Sequence, residues 1–288
     1  MESLQNIQPT QGDRRTTPLL VIEAGRTERH YWKDLWRHRE LLYFLSWRDV
    51  LVRYKQTTIG FAWTLIRPLL TMVVFTLVFG ALAKLPSGHT PYPILVFAAL
   101  LPWQFFAIAF TEAGNSLISS ADIISKVYFP RLVVPASTVI VNFIDLLISG
   151  VVLALLMAWY GFSPDWRILS LPLFILVAFF LALGSGLWIA ALNVRYRDFR
   201  YIIPFIVQCG LFISPVGFSS SIVPEQWRLL YSLNPMVGVI DGFRWAILRG
   251  DVAFYWPGFL LALVLSIMIF VGGFVYFRKM ERSFADVI

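Results

Sequence analysis

LVVPASTVIVNFIDLLISGVVLALLMAWYGFSP, residues Leu132–Pro164, carries a single charge, Asp145, in a run long enough to cross a bilayer. A helix needs roughly 20 apolar residues to traverse about 30 Å of hydrocarbon. Five more runs lie on either side: Pro68–Ala83, Leu85–Thr111, Ile168–Val194, Tyr201–Pro224 and Val252–Phe277. None of the five holds an acid, a Lys or an Arg. Helices of a soluble fold keep a wet face, so this pattern marks an integral membrane protein. The fold class expected is all-α: a polytopic protein of six transmembrane helices.

Composition agrees. Hydrophobic residues make up 58% of the chain and charged residues 14%, with a mean hydropathy of +0.70. Those values exclude soluble and disordered classes. The net charge of +7 raises nucleic acid as a partner, but the cations are grouped beside membrane segments. Ten of the 24 precede Thr57, Arg195, Arg197 and Arg200 form one cluster, and Arg278, Lys279 and Arg282 end the chain. Grouping of this kind follows the positive-inside rule for cytoplasmic ends and loops. No nucleic acid is expected.

The chain divides as follows. Residues 1–30 form a polar tail, with a mildly apolar stretch too short for a signal-peptide core. Residues 31–58 mix charge with apolar residues at spacings of three and four: Trp32, Leu35 and Trp36, then Tyr43, Trp47, Val50, Leu51 and Tyr54. Arg48, Arg53 and Lys55 fall on other faces. An amphipathic helix on the cytoplasmic membrane surface is expected, with a soluble helical cap as the alternative.

Helix 1 is expected near Ile59–Lys84, with Pro68 locally disturbing it and Arg67 able to snorkel. Helix 2 follows near Pro93–Glu112 after a turn-rich link. A polar cytoplasmic excursion, Glu112–Leu132, leads to helix 3 (Val133–Tyr160) and helix 4 (Leu169–Asn193). Helix 5 is expected at Tyr201–Phe218. Ser219–Asp251 is semi-apolar and too interrupted to span, so it reads as short re-entrant or interfacial helices on the outer side. Helix 6, Ala253–Phe277, brings the chain back to a short tail, 279–288. With 18 cations inside and five outside, both termini lie in the cytoplasm. The six helices contain no internal repeat, and one copy reads as half of a symmetric pore.

Few side chains suggest chemistry. Cys209 is the only cysteine, the three His lack metal-ligand spacing, and no Gly precedes a Lys, so a phosphate-binding loop is missing. Glu112, Asp122, Asp198, Glu225, Asp241 and Asp251 are scattered, which gives catalysis no support. Asp145 is the acid deepest within a helix and a functional candidate on that ground. It also shares a face with Thr138, Asn142 and Ser149, a stripe that equally suits helix packing. Ala182, Gly186 and Ala190, with Gly184 and Ser185 nearby, permit close helix approach, within the chain or across a dimer seam. Aromatics, 16% of residues, suit interfacial belts or the wall of a sugar conduit.

Four strings carry a family resemblance: Arg53-Tyr-Lys-Gln-Thr-Thr-Ile-Gly-Phe-Ala-Trp63, Lys126-Val-Tyr-Phe-Pro-Arg131, Asn193-Val-Arg-Tyr-Arg-Asp198 and Leu233-Asn-Pro-Met236. From about Tyr31 onward the chain resembles ABC-2-type permeases, the membrane subunits that export bacterial O-antigen, capsule and teichoic acid. The resemblance implies a homodimer in the bacterial inner membrane, served by two copies of a cytoplasmic ABC ATPase subunit that holds the ATP and Mg. This chain would bind no cofactor and would not be an enzyme. The cargo implied is a lipid-linked polysaccharide; a lipid or small drug is the alternative.

The resemblance also implies that Asn115–Arg131 couples to the ATPase, with Asn115, Ser116, Asp122, Lys126, Tyr128 and Arg131 as candidates. It makes residues 31–58 a gate helix at the cargo entrance, with Trp47, Arg48, Arg53, Tyr54, Lys55 and Arg67 as candidates. Asn142 and Asp145 are the intramembrane polar pair. Members of that family often carry Gln before the helix 1 Pro, where this chain has Arg67. Two roles are open to a charge there: contact with a lipid pyrophosphate, or snorkelling.

Overall fold

The computed structural model describes residues 35–55, 60–86, 88, 90–127, 129–196, 198–281 and 284. The polar tail 1–30, the start of the surface helix at Tyr31, and Tyr128, Arg197 and Arg282 lie outside the described residues. Among the described residues the chain is helical and contains no strand.

A first helix, α1 (Arg39–Lys55), precedes the spans. α2 (Gly60–Phe75) continues as a wider π-helical turn, Thr76–Leu82. α3 is Tyr92–Ser119, α4 Ala121–Lys126, α5 Val133–Trp159, α6 Leu171–Arg195 and α7 Phe199–Ile213. Two short helices, α8 (Glu225–Tyr231) and α9 (Pro235–Ile247), come before the last span, α10 (Trp256–Glu281). Among the described residues five helices are long and apolar enough to cross a membrane: those containing α2, α3, α5, α6 and α10. α7 is apolar but has 15 residues, a length of about 22 Å at 1.5 Å per residue. It ends at Ile213 because Pro215 disfavours a helical Ser214.

α3 is the hub. It packs most extensively on α6 and α5, and it also meets α9 and α2. Small residues on α3 let neighbours approach: a Cβ on Gly186 would lie 2.7 Å from Ala113 Cβ. On the other side of α6, a Cβ on Gly184 would fall 2.4 Å from Phe270 Cα of α10. The small-residue stripe of α6 therefore serves packing within the chain.

Helix 2 was expected to stop at Glu112, but α3 runs seven residues further, to Ser119. Asn193 Nδ2 donates to the Gly114 carbonyl and to Asn115 Oδ1, both at 3.0 Å. Polar partners on α6 thus allow the helix to continue where a polar sequence suggested an exit.

At the N-terminal end of α3, α9 is almost wholly buried. Asn234 caps it by accepting from Met236 N at 3.1 Å, and Pro235 suits the first turn. Arg244 is fully buried. Its Nε donates to the Leu95 carbonyl (3.1 Å), Nη1 to that of Phe218 (2.6 Å) and Nη2 to that of Val216 (2.8 Å). This one side chain joins α9, α3 and the segment after α7. As a core residue it is no solvated loop cation, and it carries no information about which side of the membrane its segment occupies.

Candidate functional site

Arg53, near the C-terminal end of α1, reaches two spans at once. Its Nη2 donates to both carboxylate oxygens of Glu112 on α3 at 2.7 Å. Nη1 donates to Asp145 Oδ2 at 2.5 Å and to Asn142 Oδ1 at 3.0 Å, both on α5. Asn142 Nδ2 closes the ring by donating to Glu112 Oε2 at 2.8 Å. The Tyr54 hydroxyl donates to Asp145 Oδ1. A partly buried guanidinium bonded to two carboxylates gives strong, charge-assisted bonds.

Two electrostatic consequences fall on α1. Burial raises the Tyr54 phenol above its ordinary pKa, and its bond to Asp145 pushes the same way. Burial works to lower the Arg53 pKa, but Glu112 and Asp145 outweigh it and the net direction is upward. Arg53 therefore keeps its charge and its hold.

Arg53, Glu112, Asn142 and Asp145 line a cavity of about 280 Å³ between α2, α3 and α5, beside the end of α1. α2 contributes Trp63, Thr64, Arg67 and Pro68. α3 contributes apolar side chains and Gln104, and Ser149 of α5 completes the polar stripe. The structure thus brings together gate candidates Arg53 and Arg67 with intramembrane candidates Asn142 and Asp145. Of the two roles left open for the polar stripe, it ties helices together and also lines a cavity.

Other gate candidates stand apart. Arg48 pairs with its neighbour Asp49 at 2.7 Å, and Lys55 is exposed. Tyr43 and Trp47 are exposed and stack with ring centroids 6.4 Å apart. On α1 Tyr43, Phe44, Trp47 and Leu51 therefore face outward, while Leu45, Ser46, Arg53 and Tyr54 face the protein. A soluble cap would have the reverse arrangement.

The coupling candidates divide as well. Asp122 and Lys126 are exposed on α4. Ser116 is buried and donates to the Ala113 carbonyl at 2.7 Å. Asn115 bonds within α3 and to Asn193. Arg131 is engaged by the end of the chain: its backbone N–H donates to Glu281 Oε1 at 2.8 Å, and Nη1 to the Glu281 carbonyl at 2.5 Å. Its guanidinium also lies 5.9 Å from the ring centroid of Phe284, which is fully buried. Tyr128 lies outside the described residues.

Reading the sequence missed Glu112, which had been set among scattered acids. A signal was present: Gln104, Ile108 and Glu112 step by four along one face of an apolar helix, so a polar group recurs on the side that needs a partner. Arg244 was missed for a related reason. Three residues after Asp241 in an apolar stretch, it shares a helix face with that acid.

Comparison with known proteins assigns the chain to a family. Residues 40–248 match the family described as ABC-2 type transporter. The O-antigen export system permease protein RfbA of Myxococcus xanthus is 27% identical over 258 residues, covering 89% of this chain and 98% of the relative. The polysialic acid transport protein KpsM of Escherichia coli is 22% identical, with 81% and 91% covered. The capsule polysaccharide export inner-membrane protein CtrC of Neisseria meningitidis is 26% identical, with 84% and 92% covered.

Proposed function

Because this chain belongs to the ABC-2 type transporter family, we propose that it is the permease subunit of an ATP-driven exporter moving a lipid-linked polysaccharide, of the O-antigen kind, across the bacterial inner membrane. The observation that carries this reading is the end-to-end match to an O-antigen export permease, 98% of which is covered. A fold of apolar spans without a phosphate-binding loop fits a subunit whose motor is supplied by another polypeptide. Two copies of the chain would pair with two ABC ATPase subunits, which hold the ATP and Mg.

In this reading α7 and the residues after it complete a sixth crossing. α8 and α9 are re-entrant helices near the outer end, pinned by Arg244, and both termini are cytoplasmic. The outward-facing apolar side chains of α1 support a place in the cytoplasmic headgroup layer, where Trp and Tyr favour the interface. α4 is the element offered to the ATPase, through Asp122 and Lys126 and the segment ending at Arg131. Arg131 carries motion onward to α10 through Glu281. Arg53 transmits displacement of α1 to α3 and α5.

The test is deletion of the gene in its native bacterium. Lipid-linked glycan should build up in the cytoplasmic leaflet while the surface polysaccharide is lost, and the gene in trans should restore export. An unchanged surface polysaccharide overturns the proposal. A second reading, export of a capsular polymer, draws on the matches to KpsM and CtrC. The identity of the lost surface polymer separates the two.

A further inference from the structure

The cavity is lined by charges of both signs, with Arg67 on α2 and the carboxylates of Glu112 and Asp145 on α3 and α5. Arg67, on α2, is exposed, and among the described residues no carboxylate pairs with it. A single guanidinium, Arg53, serves the two carboxylates, Glu112 and Asp145. That cluster is left with one net negative charge, and the Glu112 side chain retains 36% exposure. The four groups sum to zero, and no charge is buried deeply enough to be excluded from a guest.

Electroneutrality selects the guest. An anion drawn to Arg67 would face the surplus carboxylate, and a cation drawn to the carboxylates would face Arg67. A neutral group carrying both signs at separate atoms satisfies both at once. The volume, about 280 Å³, is at the small end for ligand sites and suits a headgroup rather than a saccharide chain. Phe97, Leu101 and Phe105 supply an apolar lining. Trp63, which lines the cavity, and Leu70, two turns further along the same side of α2, are exposed, a surface on which acyl chains can lie.

We infer that this cavity binds the headgroup of a zwitterionic aminophospholipid, its phosphate on Arg67 and its ammonium on Glu112 and Asp145. The site is separate from the export reading, since a structural or regulatory lipid requires no glycan. Native mass spectrometry tests it on the full chain, with any subunits that copurify, in nanodiscs of equal phosphatidylethanolamine and phosphatidylglycerol. Phosphatidylethanolamine should be retained in preference. Arg67→Gln and Glu112→Gln should each cut that preference about tenfold, the loss of one charge-assisted contact.

A second arm uses only the wild-type chain. Exchanging phosphatidylethanolamine for phosphatidylcholine removes the N–H donors and should lower retention as well. Equal or better retention of phosphatidylglycerol overturns the inference. So does a preference that both variants leave intact, or indifference to phosphatidylcholine. No cargo is present in either arm, so failure here leaves the export proposal standing.

Discussion

α2 and α3 are near twins in composition and opposites in the fold. Their most apolar stretches have mean hydropathies of 2.1 and 2.0, yet 11% of the first and 78% of the second is buried within the protein. In water such a difference would be visible as a polar face. In a bilayer a leucine is equally content against lipid or against another helix, so hydropathy locates a span but not its neighbours. The distinguishing features are small and polar residues. α3 carries Ala98, Ala99, Ala109, Ala113 and Gly114, all buried against other helices, together with Gln104 and Glu112 on its cavity side. α2 presents Leu70, Val73, Val74 and Leu77 to its surroundings.

Substitutions on α2, on α3 and on α9, which packs against α3, can break or sharpen this contrast. The largest effect is expected at Arg244→Ala, which takes the donor from the Leu95 carbonyl of α3 and from two carbonyls beyond α7. A buried carbonyl left without its donor costs about 1–3 kcal/mol, and the summed loss is to be read as a fall in thermal midpoint of the protein in nanodiscs. Leu117→Ala removes a fully buried side chain from α3 and should cost about 2–4 kcal/mol. Val74→Ala, on the exposed face of α2, should stay within about 0.5 kcal/mol of wild type. A Val74 effect equal to that of Leu117 would mean that α2 is packed as tightly as α3 and would remove the contrast.

Much of the fold was legible in the sequence because apolar runs have few explanations. The spans near α2, α3, α5, α6 and α10 are where their runs lie, whereas α7 stops at Ile213, short of the Phe218 expected for helix 5, because Pro215 follows. What remained hidden depends on partners far along the chain. Glu112 looked like the point where a helix leaves the membrane. Paired with Arg53, 59 positions earlier, it becomes a half-buried member of a polar cluster and α3 continues past it. Likewise Arg131 suggested a free contact for an ATPase, but Glu281, 150 positions later, engages it. Asp145 and Asn142 were recognised as an unusual pair, though their shared partner could not be identified from spacing within one helix. The widened turn Thr76–Leu82 had no periodic signal either. It follows from packing, where Gly80 faces the Tyr92 ring and Phe75 and Phe79 crowd Gly217.

The central claim is that polar contacts, not hydropathy, hold α1 to the hub, with Arg53 and Glu112 as the joint. A double-mutant cycle of Arg53→Ala and Glu112→Ala, read by thermal unfolding in nanodiscs, measures that joint directly. Both groups are partly exposed, so a coupling of about 1–2 kcal/mol is expected, above that of a surface pair. Strictly additive losses would contradict the claim and leave α1 held only through α5, by apolar contact and by the bonds of Arg53 and Tyr54 to Asp145.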